Sequence, residues 1–147
     1  DQRLVAAVGT LNDDGSIHLA YVIFLYEDGT LWFETSSVTR KARNAEERTI
    51  ATFLVQGTAA NGTSGMVAGE GTARVARGDE ARAVNRRIRL KYMNDAAVDV
   101  VSGAWDAFDD VAIGITPSKW RSWKGAALRA ATEESTGVDY ESVWRPD

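Results

Sequence analysis

Short apolar segments separated by turn residues dominate the first half of the chain. In TLWFET, Leu31 and Phe33 alternate with Trp32 and Glu34, which is the period-two pattern of a strand whose two faces meet different surroundings. The sequences NDDG and EDG mark turns between such segments. The pattern predicts about six strands, which cover residues 4–11, 17–26, 30–35, 49–56, 66–76 and 110–116. Pro117 is expected to end the last of these, and Trp120 and Trp123 follow on a further extended segment.

One segment has helical periodicity instead. Residues 79–92 are predicted to form the main helix, because apolar side chains recur there three or four positions apart. A short helix is expected to begin at Arg40 with Thr39 as its cap. Hairpin-spaced strands around one long helix predict a mostly β fold, a six-stranded antiparallel barrel with helices at its edge. Gly69 and Gly71 predict a bulge or a close approach of two backbones in the fifth strand.

The length and composition fit one domain. The chain has 147 residues, of which 44% are hydrophobic and 26% charged, as in ordinary globular proteins. We expect residues 1–125 to form the barrel, and residues 126–147 to be a tail or partner-clasping arm of the same domain. No apolar run approaches the roughly 20 residues of a membrane helix, and no secretory signal is visible. These features predict a cytoplasmic protein with no membrane partner.

Side chains that usually perform catalysis are scarce. The chain has no cysteine, and His18 is its one histidine. Disulfides, thiolate nucleophiles and metal sites built on cysteines or several histidines are therefore excluded. The net charge of −4 argues against a nucleic-acid partner. Any redox chemistry must then depend on a bound cofactor.

The segment TSSVTRKARN carries the clearest chemical signal. Two hydroxyl residues, Thr35 and Ser36, leave a strand just before Arg40 and Lys41 open the short helix. The amides at a helix N-terminus attract anions, and an Arg-Lys pair adds positive charge and a bidentate donor. These features favour a phosphate site, and a solvated basic turn is the alternative.

The longer stretch TLWFETSSVTRKARN resembles the signature of the pyridoxamine 5′-phosphate oxidase-like superfamily of flavin- and deazaflavin (F420)-dependent oxidoreductases. The order of the predicted strands and helices extends the resemblance over residues 4–125. It implies a split β-barrel of the FMN-binding type, and a homodimer with cofactor sites at its interface. It also implies hydride transfer to or from a small-molecule substrate. FMN and F420 both present a phosphate to such a site. FMN is the first expectation for the cofactor and F420 the second.

The resemblance also implies particular cofactor contacts. In chain order these are Ala20, Tyr21, Val22, Thr35, Ser36, Arg40, Lys41, Met66 and Trp123. The first three would lie along the ring system, the next two along the ribityl chain, and the Arg-Lys pair on the phosphate. Met66 stands where oxidases of the family have a glutamine that reaches the partner's cofactor, and Trp123 matches a tryptophan near the flavin.

The sequence departs from the oxidases after that tryptophan. The oxidases have an arginine six positions later and a histidine eight positions later, whereas this chain has Arg129 and Ala131. The missing histidine argues against pyridoxamine phosphate as the substrate. No catalytic residue is assigned.

Alternatives remain open for the function and for the basic helix. The barrel could be a non-catalytic flavin- or haem-binding sensor or store, or a cofactor-free interaction module. The long helix could present a solvated, partly paired face, or a clasp for an anionic tail such as the polyglutamate of F420. Its basic residues are Arg82, Arg86, Arg87, Arg89 and Lys91.

Overall fold

Seven strands and four α-helices form in residues 2–58 and 64–143, which are the part of the chain that the computed structural model describes. The strands are β1 (Val5–Leu11), β2 (Ile17–Ile23), β3 (Leu25–Glu27), β4 (Thr30–Ser36), β5 (Ile50–Thr58), β6 (Ser64–Ala76) and β7 (Asp110–Lys124). The helices are α1 (Arg40–Glu47), α2 (Gly78–Tyr92), α3 (Asp95–Trp105) and α4 (Gly125–Thr136). Two short 3₁₀ turns cover Asp106–Phe108 and Tyr140–Val143. The predicted tail forms α4 and the second 3₁₀ turn, and its last four residues lie outside the described part.

The strands make one antiparallel sheet in the order β2-β1-β5-β6-β7-β4-β3. The sheet curls so that β2 and β4 approach each other without pairing, which gives the half-barrel of a split barrel. The predicted mostly β antiparallel fold is therefore confirmed.

The prediction of six strands is wrong, because the segment predicted as one strand at 17–26 divides at Phe24. Its first part pairs with β1 and its second part with β4. The Tyr92 hydroxyl lies 3.3 Å from the amide nitrogen of Phe24 and 3.0 Å from its carbonyl oxygen. The hydroxyl thereby takes the place of a strand partner at the break.

Strand β7 continues through Pro117, so the prediction that this proline ends the strand is also wrong. Pro117 pairs with Gly71 where the register of β6 shifts between Glu70 and Gly71. A proline fits into a strand at such a bulge because the irregular pairing does not require its missing N–H. The predicted bulge at these glycines is confirmed.

The core lies on both sides of β4. Leu31 and Phe33 are buried inside the curled sheet, where Ala42 and Ala45 of α1 also pack. Trp32 points the other way and is buried beneath α2, against Val84 and Ile88. Within the described residues, no helix is long and apolar enough to cross a membrane.

Gly71 provides a test of the bulge. A Cβ at this position would lie 2.0 Å from the carbonyl oxygen of Thr116, which belongs to the backbone and cannot rotate away. We expect Gly71→Ala to lower the free energy of unfolding by about 1–3 kcal/mol, as overpacking does elsewhere. Urea unfolding followed by tryptophan fluorescence measures this loss.

The matched control is Gly103→Ala in α3, where the added methyl group would meet nothing within 4 Å. Alanine is favoured over glycine in a helix, so this variant should gain about 0.5–1 kcal/mol. If both glycines tolerate alanine equally well, the close approach of β6 and β7 is not as described.

Candidate functional site

The turn from β4 into α1 leaves the start of the helix without a side-chain cap. Thr39 occupies the capping position, but its hydroxyl donates to the carbonyl oxygen of Ser36 at 2.9 Å. The Thr35 hydroxyl lies 3.1 Å from that of Thr39 and is then the donor in this contact. The helix begins at Arg40 with Thr39 at the N-cap, as predicted, but Thr39 makes no side-chain capping hydrogen bond. The first amides of the helix remain available to an external acceptor.

Three cationic side chains stand at this uncapped end. Among the described residues, no hydrogen bond or salt bridge pairs Arg40, Lys41 or Arg43 with a carboxylate, and the first turn of α1 contains no acid. Lys41 is partly buried, and this burial lowers its pKa. Asp14 acts on Arg40 through its charge without forming a salt bridge, so an anion placed here would compensate positive charge that no salt bridge among the described residues neutralises. Arg43 was not among the predicted site residues, although its spacing of three from Arg40 places both on one side of a helix.

A groove of about 370 Å³ runs beside the same helix. Its lining residues are Asn12, Asp13, Asp14, Arg40, Arg43, Asn44, Glu47 and Arg48. Buried Asn44 fixes the β1–β2 turn against α1, because its amide donates to Thr10 Oγ1 at 3.1 Å and Asn12 Oδ1 at 2.9 Å. Hydrogen bonds from Ser16 lower the pKa of Asp14, and the charge of Arg40 lowers it further.

The remaining predicted contacts lie on the sheet. Met66 and Trp123 are cross-strand partners on β6 and β7. Strand alternation places them on the outer face of the sheet together with Tyr21, whereas Ala20 and Val22 face the core. Of the three β2 residues, only Tyr21 therefore presents its side chain on the same face as Met66 and Trp123.

One chain does not bring all of these residues together. Ser36 pairs with Asp110 at the beginning of β7, whereas Met66 pairs with Trp123 near its end. These two positions on β7 are 13 residues apart, or roughly 40 Å along an extended strand. Thr35, Ser36, Arg40 and Lys41 form one local group, which we call the phosphate grip, and Met66 and Trp123 form a separate one.

A family model described as pyridoxamine 5′-phosphate oxidase matches residues 1–124. The chain belongs to this family. The match covers the grip, the Met66–Trp123 pair and every strand, and it confirms the resemblance inferred from the sequence. Comparison with curated proteins finds no match.

Solved structures share the fold of this member of the pyridoxamine 5′-phosphate oxidase family. The conserved hypothetical protein Rv2991 from Mycobacterium tuberculosis is 24% identical with a TM-score of 0.70, over 84% of this chain and 79% of that one. An F420 reductase is 17% identical with a TM-score of 0.60, over 82% and 90% of the two chains. HutZ, a heme storage protein from Vibrio cholerae, is 15% identical with a TM-score of 0.66, over 84% and 88%. At these identities the likeness shows the fold alone.

The basic helix of this family member is largely neutralised by acids. Exposed Arg82, Arg86 and Arg87 form salt bridges with Asp79, Asp99 and Glu27 respectively. This agrees with a solvated, partly paired face and leaves no row of unpaired arginines on α2 to clasp an anionic tail.

Arg89 departs from that description, because it is 1% exposed. It forms ion pairs with Glu34 of β4 and Asp110 of β7, and its guanidinium lies 5.2 Å from the Trp105 ring. The prediction of a solvated face is wrong at this position. The helical spacing of Arg89 with buried Asn85 and Ile88 was the signal that could have revealed its burial.

Glu34 makes the stability of this network depend on pH. Burial raises its pKa from the ordinary 4.5 to about 6; Asp110 adds to the rise, and Arg89 opposes it. Between these two pH values the folded chain keeps a proton that the unfolded chain releases, so the contribution of Glu34 to the free energy of unfolding falls as pH rises. We expect wild-type stability relative to Glu34→Gln to fall from about pH 4.5 to pH 7, measured by urea unfolding.

Glu80→Gln is the control, because the pH dependence of stability expected from Glu80 has the opposite sign. Its hydrogen bond with Arg74 lowers the pKa of the exposed Glu80 carboxyl, so any contribution is lost as pH falls. Parallel stability curves for wild type and Glu34→Gln across the window would contradict the account of the buried carboxyl.

Proposed function

We propose that the chain binds FMN through its phosphate and acts as a flavin-dependent oxidoreductase on a small organic substrate, with F420 as the second candidate cofactor. One observation carries the proposal. Three cations without carboxylate partners among the described residues surround the uncapped start of α1.

The donors at this end of α1 suit a phosphate monoester. Such a group carries a charge of about −1.5 to −2 at neutral pH and has three acceptor oxygens. Arg40 offers a planar bidentate fork, Lys41 a compact charge, and the first turn of α1 its free amides. Because the Thr35 hydroxyl donates to Thr39, it is left as an acceptor and would receive a hydrogen bond from a ribityl hydroxyl.

A bound flavin would supply the hydride transfer itself. The chain's own part is to bind and orient it: the grip would fix the phosphate, and Tyr21, Met66 and Trp123 would offer apolar surface to the ring. The structural neighbours include both an F420 reductase and a heme storage protein, so the fold alone does not decide between catalysis and storage. Repeated oxidation of a reductant by the loaded protein would support an enzyme, whereas a single stoichiometric reduction would indicate a store or sensor.

Lys41→Ala tests the phosphate contact. Loss of one charge-assisted hydrogen bond costs roughly 1.5–3 kcal/mol, so FMN should bind about 10- to 100-fold more weakly. Riboflavin has the same ring without the phosphate, and its affinity should change much less. Titration calorimetry with both ligands gives the two dissociation constants.

The control is Arg82→Ala on α2, which removes an exposed cation far along the sequence from the grip. It should leave both affinities unchanged. If Lys41→Ala weakens FMN and riboflavin equally, Lys41 is not a phosphate ligand.

We further propose that the protein is a homodimer whose copies meet at the outer face of the sheet. This face exposes large apolar side chains, among them Leu19, 69% exposed, and Tyr21, 81% exposed. Its other exposed apolar members are Val5, Ile17, Ile50, Leu54 and Trp123. Contiguous apolar surface on this scale is typical of an interface.

Geometry also favours two copies per cofactor. The grip and the Met66–Trp123 pair lie at opposite ends of β7, so a single FMN can contact both only if they come from different chains. A second copy on the outer face would supply Met66 and Trp123 to the grip of the first.

Leu19→Arg tests this interface. A charge placed in an apolar contact loses its hydration without gaining a partner, so the variant should be monomeric at micromolar concentration. Sedimentation equilibrium measures the mass.

Val100→Arg on α3 is the matched control, because Val100 is 75% exposed but lies away from the sheet face. It should remain dimeric. A wild-type protein that binds FMN as a monomer would overturn the proposed assembly.

A further inference from the structure

We propose that Arg89 is a positioning residue for the phosphate grip, because its guanidinium ties together the two strand ends that hold Thr35 and Ser36. The inference rests on the proposed phosphate site. It assigns a role to a residue that would touch neither the cofactor nor a substrate.

The guanidinium bonds to both strands at once. Arg89 Nε donates to both carboxylate oxygens of Glu34 at 3.0 Å, and Nη2 donates to Asp110 Oδ2 at 3.0 Å. Nη2 also donates to Glu34 Oε1. Such a planar fork holds its acceptors in fixed directions, which a lysine cannot do.

Both acceptors adjoin the grip. Glu34 precedes Thr35 directly on β4, and Asp110 is the cross-strand partner of Ser36 on β7. A shift of the Glu34 carboxylate would therefore act on Thr35 through one peptide unit. A shift of the Asp110 carboxylate would act on Ser36 through the pairing of the two strands.

A second set of hydrogen bonds connects the residues just before β7 to the turn that enters α1. The Ser36 hydroxyl lies 3.4 Å from the Phe108 carbonyl oxygen, and the Ser37 hydroxyl donates to Asp109 Oδ2 at 2.5 Å. The amide of Ser37 donates to the Asp109 carbonyl oxygen at 3.2 Å. Residues 108 and 109 lie directly before Asp110, so the tie from Arg89 to Asp110 also holds these contacts in place.

Burial makes this tie rigid. Arg89 is almost wholly inaccessible, and Glu34 and Asp110 have side chains only 7% and 12% exposed. Water cannot readily replace either carboxylate, so removing one of them loosens the connection between the guanidinium and one of the two strands. The Trp105 ring over the guanidinium restricts it further.

The test compares two ligands in matched variants. Asp110→Ala removes the tie to β7 but keeps the Arg89–Glu34 pair, so the chain can still fold. Because the grip itself is untouched, we expect FMN to bind about tenfold more weakly, the cost of misaligning roughly one charge-assisted hydrogen bond. Riboflavin has no phosphate for the grip to hold, so its affinity should stay within about twofold; a tenfold change corresponds to about 1.4 kcal/mol.

Two further variants separate positioning from general destabilisation. Asp110→Asn keeps an acceptor for Arg89 and should restore part of the preference for FMN over riboflavin. Asn85→Ala alters the same helix one turn earlier, at a buried side chain that has no hydrogen-bond partner within residues 2–58 and 64–143. It should leave that preference unchanged whatever it does to the melting temperature.

The outcomes distinguish this inference from the proposed function. If the wild type binds FMN and riboflavin equally, the assignment of a phosphate site is wrong, and so is the positioning role of Arg89. If the wild type prefers FMN and Asp110→Ala keeps the full preference, the phosphate site stands and Arg89 is only a structural residue.

Discussion

The pairing of β7 along both of its sides is the constraint on which the rest of the molecule depends. Its first half pairs with β4, and residues 112–124 pair with β6, so one strand joins the segment that leads into α1 to the other half of the sheet. The strand can run from Asp110 to Lys124 only because Gly71 lets the backbone of Thr116 and Pro117 approach β6. The same continuity separates the grip from the Met66–Trp123 pair, which is why we propose that two chains form each site.

Local patterns were sufficient to predict much of the fold. The alternation in TLWFET indicated a strand with two different environments, and Trp32 does face α2 while Leu31 and Phe33 face the barrel core. The helical spacing at residues 79–92 located α2 to within one residue. The break at Phe24 and the passage of β7 through Pro117 could not be predicted locally, because each depends on a partner distant in sequence: the Tyr92 hydroxyl and the bulge in β6.

The candidate site was predictable where its residues lie close together in the sequence. Thr35, Ser36, Arg40 and Lys41 fall within seven consecutive positions, which keeps them in one local group. Arg89 was misjudged because a charged residue in a basic helix is usually solvated, whereas its ion pairs with Glu34 and Asp110 help to make its burial tolerable. Neither acid is near Arg89 in sequence, so no local pattern could identify the network.

The proposed function depends on anion binding at the uncapped start of α1, which can be followed by titrating FMN into uniformly ¹⁵N-labelled protein. Amide resonances report which backbone N–H groups donate to a new acceptor. We expect the largest shift changes at the amides of Arg40 and Lys41, and smaller ones there with riboflavin. Shifts that spare these amides and gather along α2 would contradict anion binding at this end of α1.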